Sequence, residues 1–368
     1  MRSRRHLFSI TALLGFSLAL AGCKGFFTDR LSTPAGTVGL LYAANFNGGA
    51  QGSITEFTIA VTTGFLGTVT GSPISTGSGP VALAMDVSGK LLYAANQSGG
   101  ISGFSVNHST GVLSALAGSP FPFTAGSTPT DILVDTKSRF VFVAERVSNS
   151  VSSYTLNTST GLLTPVAGSP FAVGAGATFD LAEDPAGKFL YVNSGAAGIK
   201  GFAINSNGTL SAGPVIAAAA TGSVALAFNP AGTFAYGVDG ISSASAYSVD
   251  AATGNLTLVG SSVTGSGPVA LDINPSSKFV YVANQTSSSV SAFSIASNGS
   301  LTQISGSPYV TGASPSAVRV DKGGSFVYVA NQSSNTISIF TLNSSSGALT
   351  AAGTSATGSQ PVSLVVTQ

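Results

Sequence analysis

Short runs of alternating apolar and polar residues, separated by turns rich in Gly, Asn, Ser and Pro, fill the chain from about residue 39. Alternation with a period of two is typical of β-strands that bury one face. One kind of run follows a proline, as at Pro80, and a second is a Tyr-Val-Ala-Asn-like segment, as at Tyr281. A third contains a recurrent aromatic residue such as Tyr154, and a fourth follows a Gly-x-Leu-Thr/Ser turn such as that at Gly161. The pattern therefore predicts a unit of four short strands.

This four-stranded unit recurs at intervals of 45 to 51 residues. A repeat of that length with four strands is typical of a propeller blade. We predict an all-β fold, a seven-bladed β-propeller of four-stranded blades over residues 39–368, and we number the blades by their second strands. The aromatic residues that mark these strands are Tyr42, Tyr93, Phe142, Tyr191, Tyr236, Tyr281 and Tyr328.

The two ends of the repeat complement each other. The first unit begins at Leu40 with its second strand, whereas residues 358–367 match an inner strand that has no second strand after it. We therefore predict that the C-terminal strand pairs with the strand of Tyr42 and closes the ring, which leaves no open sheet edge.

The first residues have the features of a secretion signal. Three arginines near the start precede an apolar run from Leu7 to Leu20, and the following segment ending in Cys23 resembles a bacterial lipobox. We expect residues 1–22 to be a lipoprotein signal peptide, Cys23 to be lipidated, and residues 23–38 to be a linker. The protein would then be anchored in the cell envelope, periplasmic or surface-exposed, and Lys24 favours the outer membrane over the inner one.

Composition limits the possible partners. Charged residues make up 7% of the chain, and without the three signal-peptide arginines 11 basic residues face 13 acidic ones, a net charge of −2. No basic patch is available to neutralise phosphates, so we expect no nucleic acid partner. The single cysteine excludes an intramolecular disulfide. We expect a monomer without cofactor or metal that binds a protein, a glycan or a small molecule.

With its Tyr-Val-Ala-Asn strands, its Gly-x-Leu-Thr turns and the Gly-Ser-Pro-Phe segments at residues 118–121 and 168–171, the chain resembles the lactonase-type seven-bladed propellers. These are the 6-phosphogluconolactonase-like and Tyr-Val-Thr-Asn-repeat families. The resemblance implies a lactone hydrolase, whose inner strand carries a Gly-Pro-Arg-His-like motif and whose Tyr-x-x-Asn strand is followed by a Glu. No histidine occupies the equivalent positions here, which hold Ala82, Asp131, Asp180, Ala225, Ala270, Ala317 and Ser363. Outside the expected signal peptide the one histidine is His108. It lies in an outer turn, and we expect it to be solvated.

Blades three to five break the internal pattern at one face of the ring. Blade three has Asp131, Glu145 and Arg146, blade four has Asp180, and blade five has Asp239. We predict that these five residues form a ligand-binding site at the mouth, because polar groups that converge on a propeller mouth commonly bind ligands. Asp131, Glu145 and Asp180 are also catalytic candidates, since neighbouring carboxylates raise one another's pKa and can act as acid or base.

Other interpretations of the same residues remain open. Arg146 could neutralise the acids, so that the group only solvates the rim, or the acids could bind a hard cation such as calcium. Asp272 and Arg319, at the same position in blades six and seven, are expected to form a structural ion pair.

We therefore hold three hypotheses for the function. The first is a lipid-anchored scaffold that binds a ligand at the ring mouth, and the alternative is a lactone hydrolase that uses the acidic group in place of the family's histidine. The third is a purely structural envelope protein.

Overall fold

The computed structural model of the protein describes residues 39–367, except 124–127, 175, 177, 196 and 217–221. The expected signal peptide, Cys23 and linker lie outside the described residues. The described part consists of β-strands and one short 3-10 helix, Asn47–Gly49. None of its helices has the length and apolar character needed to cross a membrane.

The strands follow one another blade by blade. Blade one contains β1 (Gly39–Asn45), β2 (Gln51–Ile59) and β3 (Leu66–Thr68), and blade two contains β4 (Ile74–Met85), β5 (Leu91–Ser98), β6 (Ile101–Val106) and β7 (Leu113–Ala115). Blade three contains β8 (Pro129–Val134), β9 (Phe140–Glu145), β10 (Ser150–Leu156), β11 (Leu163–Pro165) and β12 (Phe171–Ala172), and blade four contains β13 (Asp180–Glu183), β14 (Phe189–Asn193), β15 (Ile199–Ile204) and β16 (Leu210–Ala212). Blade five contains β17 (Ala225–Phe228), β18 (Phe234–Val238), β19 (Ser243–Val249) and β20 (Leu256–Val263), and blade six contains β21 (Pro268–Ile273), β22 (Phe279–Asn284), β23 (Ser289–Ile295), β24 (Leu301–Gln303) and β25 (Tyr309–Val310). Blade seven contains β26 (Pro315–Val320), β27 (Phe326–Asn331), β28 (Thr336–Leu342) and β29 (Leu349–Ala356), and the chain ends with β30 (Pro361–Val366).

Within each blade, neighbouring strands pair antiparallel in the order inner, second, third and outer. The long strand β4 belongs to two blades, because its first residues pair with β2 and its later residues pair with β5. In blades three and six the outer strand is split into two pieces that both pair with the third strand. These sheets confirm the predicted propeller of seven blades.

The C-terminal strand closes the ring as predicted. β30 pairs antiparallel with β1, with Tyr42 opposite Val365 and Ala43 opposite Leu364. Leu364 is fully buried, so the closing strand contributes apolar burial as well as backbone hydrogen bonds. Blade one therefore takes its inner strand from the end of the chain, and β1 is paired on both sides.

The hydrophobic core lies between neighbouring blades. One cluster, for example, joins Tyr93 and Ala95 of blade two to Ile132, Val141 and Val143 of blade three. The alternation of each strand thus buries side chains on both faces of a blade, since every blade is covered by a neighbour on either side.

A hydrogen bond from each blade to a turn of the next fixes their spacing. The second-strand tyrosine donates its hydroxyl to the carbonyl oxygen of a glycine in the following blade, and these glycines have φ between +72° and +86°. This left-handed conformation favours glycine because a Cβ atom would clash. The pairs are Tyr42–Gly111, Tyr93–Gly161, Tyr191–Gly254, Tyr236–Gly299, Tyr281–Gly347 and Tyr328–Gly64, at oxygen-to-oxygen distances of 2.5 to 3.1 Å.

Blade three lacks this tyrosine but keeps the bond. Its residue is Phe142, and the hydroxyl of Ser153, directly opposite Phe142 on β10, donates to the carbonyl of Gly208 at 2.8 Å. Compared with the other six blades, the donor hydroxyl of blade three lies on the third strand instead of the second. The acceptor carbonyl lies in the same turn of the next blade.

We expect Ser153→Ala to lower the free energy of unfolding by about 1–2 kcal/mol, because it leaves the buried Gly208 carbonyl without a donor. Adding Phe142→Tyr should recover most of that loss by restoring the arrangement of the other six blades. Urea unfolding of both variants measures this, with Ser294→Ala, whose hydroxyl bond is at the surface, as the control that changes little. A double variant no more stable than Ser153→Ala alone would contradict this account.

Candidate functional site

The inner strands of all seven blades surround a cavity of about 460 Å³ on the axis of the ring. Each inner strand is the edge strand of its blade, so its outward N–H groups face this space or the neighbouring blade. Buried backbone donors need acceptors, and side chains from the preceding blade supply several of them.

These cross-blade acceptors include two of the predicted site residues. The Oδ2 atom of Asp131 accepts the N–H of Leu181 at 2.8 Å, and Oδ2 of Asp180 accepts the N–H of Leu226 at 2.9 Å. In the same way, Ser363 accepts the N–H of Leu83 at 3.1 Å and Asp272 accepts that of Val320 at 2.8 Å. The carboxylates in the cavity therefore connect blades as well as presenting charge to the channel.

Asp131 and Asp180 lie in adjacent blades and influence each other. Burial raises the pKa of Asp131 to about 6, although the N–H groups of Leu181 and Ile132 and the charge of Arg319 oppose this rise. Burial, and then the negative charge of Asp131, raise the pKa of Asp180 well above its ordinary value. Both carboxyl groups are therefore weaker acids than an ordinary aspartate, and their titrations are linked.

The expected ion pair between Asp272 and Arg319 is wrong. Both residues line the cavity, but within the described part of the chain the one ion pair joins Arg139 to Asp135, at 2.7 Å. The Nη1 atom of Arg319 instead donates to the Val318 carbonyl at 2.8 Å. Its positive charge lowers the pKa of Asp131, Asp180 and Asp272 against the upward effect of burial. A single guanidinium thus acts on three carboxyl groups.

Glu145 is not brought into the cavity. Its side chain is fully buried inside blade three, and its carboxylate accepts the hydroxyls of Ser148, Ser150 and Ser152 at 2.6 to 3.2 Å. In blades one, two, six and seven an asparagine at this position donates to a serine or threonine hydroxyl on the third strand of its own blade. Glu145 therefore organises its own blade in the way that these asparagines do.

Arg146 and Asp239 do not line the axial cavity either. The Arg146 side chain is exposed and stacks on Phe179, with 5.3 Å between its guanidinium carbon and the ring centroid. It forms no ion pair with an acid of the described residues. The Oδ1 atom of Asp239 accepts the N–H groups of Ile241, Ser242 and Ser243 at 2.8 to 2.9 Å and so caps a turn.

His108 does not line the axial cavity. His108 belongs to the turn between β6 and β7. It lines a separate groove of about 620 Å³ together with Lys322. That turn is at the opposite end of blade two from Asn96, since β6 runs antiparallel to β5. Among the described residues, no group of three or more His, Cys, Asp or Glu side chains could hold a metal ion.

Sequence reasoning placed two cavity residues, Asp131 and Asp180, but assigned no ligand role to Asp272, Arg319 and Phe179. A signal for these three was present, because each replaces the small or apolar residue that most other blades have at the same inner-strand position. It was discounted for Asp272 and Arg319 because opposite charges in adjacent blades favoured an ion pair.

A further buried acid, Glu183, also escaped the sequence analysis. Burial raises its pKa to about 8, and its Oε2 atom accepts the N–H of Thr136 from blade three at 2.7 Å. Glu183 does not line the axial cavity, so we regard it as a contact between blades three and four.

Comparison with known proteins identifies the class to which this propeller belongs. The family model of the seven-bladed β-propeller lactonases matches residues 101–181 and 180–366. The chain therefore belongs to the lactonase family of seven-bladed β-propellers, as its sequence motifs indicated.

Solved structures with the same fold include a candidate 6-phosphogluconolactonase from Bacteroides fragilis, 22% identical, with a TM-score of 0.78 over 92% of this chain and 99% of that one. The periplasmic gluconolactonase of Pseudomonas aeruginosa is 20% identical, with a TM-score of 0.74 over 90% of this chain and 99% of that one. At these identities the likeness establishes the fold. No curated protein matches the chain.

The coupling of the acidic pair can be tested directly. We expect Asp131→Asn to lower the pKa of Asp180, because it removes the negative charge that opposes ionisation, while the amide oxygen can still accept the Leu181 N–H. A carboxyl carbon-13 NMR titration measures the change. Asp272→Asn is the control that should leave Asp180 unaltered, and an Asp180 titration that is the same in Asp131→Asn and wild type would refute the coupling.

Proposed function

We propose that the protein is a lactone hydrolase whose reaction takes place in the axial cavity. The observation that supports this most strongly is the placement of Asp131 and Asp180 in adjacent blades on the wall of the axial cavity, which Arg319 also lines, with the pKa of both carboxyl groups raised by burial. Two carboxyl groups whose pKa values are pushed apart supply a base and an acid in one site. Membership of the lactonase family favours this hypothesis over the binding scaffold.

In the proposed reaction Asp131 and Asp180 take different roles. The Asp131 carboxylate accepts a proton from a water molecule that attacks the lactone carbonyl carbon. Arg319 stabilises the negative charge on the carbonyl oxygen of the tetrahedral intermediate. When the ring carbon–oxygen bond breaks, the Asp180 carboxyl donates its proton to the leaving alkoxide, and the product is a hydroxy acid. Transfer of a proton from Asp131 back to Asp180 restores the starting state.

Charge and size suggest the kind of substrate. Three carboxyl groups and one guanidinium line the cavity, so an uncharged lactone would enter more easily than a phosphorylated one. A volume of about 460 Å³ is in the range of small-molecule sites and accommodates a single saturated ring. We propose gluconolactone-like compounds as substrates of an exported, lipid-anchored enzyme.

Ligand binding without turnover is the second candidate function. Among the described residues that line the cavity none is histidine, and Asp131 and Asp180 already use an oxygen each for a backbone N–H. A site of this kind could hold a polar ligand without activating water.

The wild-type protein should hydrolyse gluconolactone faster than the buffer alone, as followed by proton release at pH 7. We expect Asp131→Asn and Asp180→Asn each to lower kcat/KM by about 10²–10⁴-fold, the usual contribution of a positioned acid or base. Asp239→Asn is the control, because it alters a turn-capping carboxylate outside the cavity and should retain activity.

The thermal midpoint of each variant shows whether the fold is intact. Wild-type turnover at the buffer rate across a panel of γ- and δ-lactones, with ligand binding retained, would favour the binding function. Hydrolysis that survives in both Asp variants would place the chemistry elsewhere.

A further inference from the structure

One aromatic residue at the wall of the cavity departs from the repeat. Phe179 directly precedes β13 and lines the cavity beside Asp180. It is anchored by its backbone, whose N–H donates to the Asn193 carbonyl at 2.8 Å. The equivalent residues of the other six blades are smaller and are Val81, Thr130, Val224, Val269, Ser316 and Val362.

Two further departures from the repeat hold this ring in position. The guanidinium of Arg146 in blade three stacks on it, where blades two, six and seven have glutamine. Gly195 lies against its edge, and a Cβ atom at Gly195 would come within 2.7 Å of the ring carbon Cε2. A larger residue at position 195 would therefore displace the ring, so Arg146, Phe179 and Gly195 form one arrangement.

The arrangement leaves part of the ring available to the cavity. Arg146 is exposed and Phe179 is half-buried; the guanidinium lies over the ring, and the ring borders the cavity. The Arg146 side chain makes no hydrogen bond and no ion pair with any described residue, and its guanidinium lies over the Phe179 ring.

We propose that Phe179 is a specificity-determining residue on which the saturated ring of the substrate stacks, and that Arg146 is a positioning residue that orients Phe179. An aromatic face binds a face of C–H bonds by dispersion and burial of apolar area. A ring held there lies next to Asp180, the acid that would protonate the leaving oxygen. This inference rests on the proposed function, lactone hydrolysis in the axial cavity. It adds that the saturated ring of the substrate is the part that the protein recognises.

Phe179→Val tests the proposal with little risk to the fold, because valine occupies this position in four other blades. We expect KM for gluconolactone to rise about tenfold while kcat changes less than twofold, since stacking holds the ring equally in the ground state and the transition state. Phe179→Tyr should keep the wild-type KM, and Arg146→Gln should raise KM by a smaller factor. Val224→Thr, at the same position in blade five, is the matched control with an unchanged KM.

A ligand that cannot react separates this inference from the proposed function. Calorimetric titration with the cyclic ether 1,5-anhydroglucitol should show binding to wild type and about tenfold weaker binding to Phe179→Val. That result without lactone hydrolysis would overturn the proposed function and support the stacking residue. Equal KM and equal affinity in wild type and Phe179→Val, or no binding to either protein, would overturn the inference.

Discussion

The hydroxyl-to-glycine hydrogen bond between successive blades is the constraint on which the rest of the structure depends. It needs a hydroxyl at the middle of each blade and a turn in the next blade whose carbonyl points towards it. A residue with positive φ supplies that turn, which explains the glycine at Gly64 and at each equivalent position. The bond from Tyr328 to Gly64 joins blade seven to blade one, so it closes the ring a second time beside the pairing of β30 with β1.

Closure of the ring brings the inner strands of all seven blades together around the axial cavity. Seven inner strands face one another as edges, and their outward N–H groups need acceptors. Asp131 and Asp180 meet that need for Leu181 and Leu226. They lie half-buried in adjacent blades, so desolvation raises the pKa of both carboxyl groups, and the charge of Asp131 raises the pKa of Asp180 further, against the effect of the N–H donors. A structural acceptor thereby becomes a group that can exchange a proton near neutral pH.

Much of the fold could be predicted from the sequence, because strand period, turn residues and the two incomplete ends all follow the repeat. The second-strand aromatic residues and the two incomplete ends gave the blade count, and the proline at the start of β30 revealed the closing strand. The candidate site was only partly predictable. Asp131 and Glu145 both looked like mouth residues. The Asp131 side chain accepts a backbone N–H of the next blade, whereas the Glu145 side chain accepts the hydroxyls of three serines in its own blade. A single sequence contains no direct record of which neighbour a side chain meets, and for the same reason Asp272 and Arg319 were mistaken for an ion pair.

The pH dependence of kcat/KM for lactone hydrolysis tests the central claim most directly, namely that Asp131 and Asp180 act together as base and acid. The account predicts a rate that rises through pH of about 6 as Asp131 ionises and falls at higher pH as Asp180 loses its proton. It also predicts that the falling limb disappears in Asp180→Asn. A rate that increases in proportion to hydroxide over the whole range, in wild type as in buffer, would contradict it.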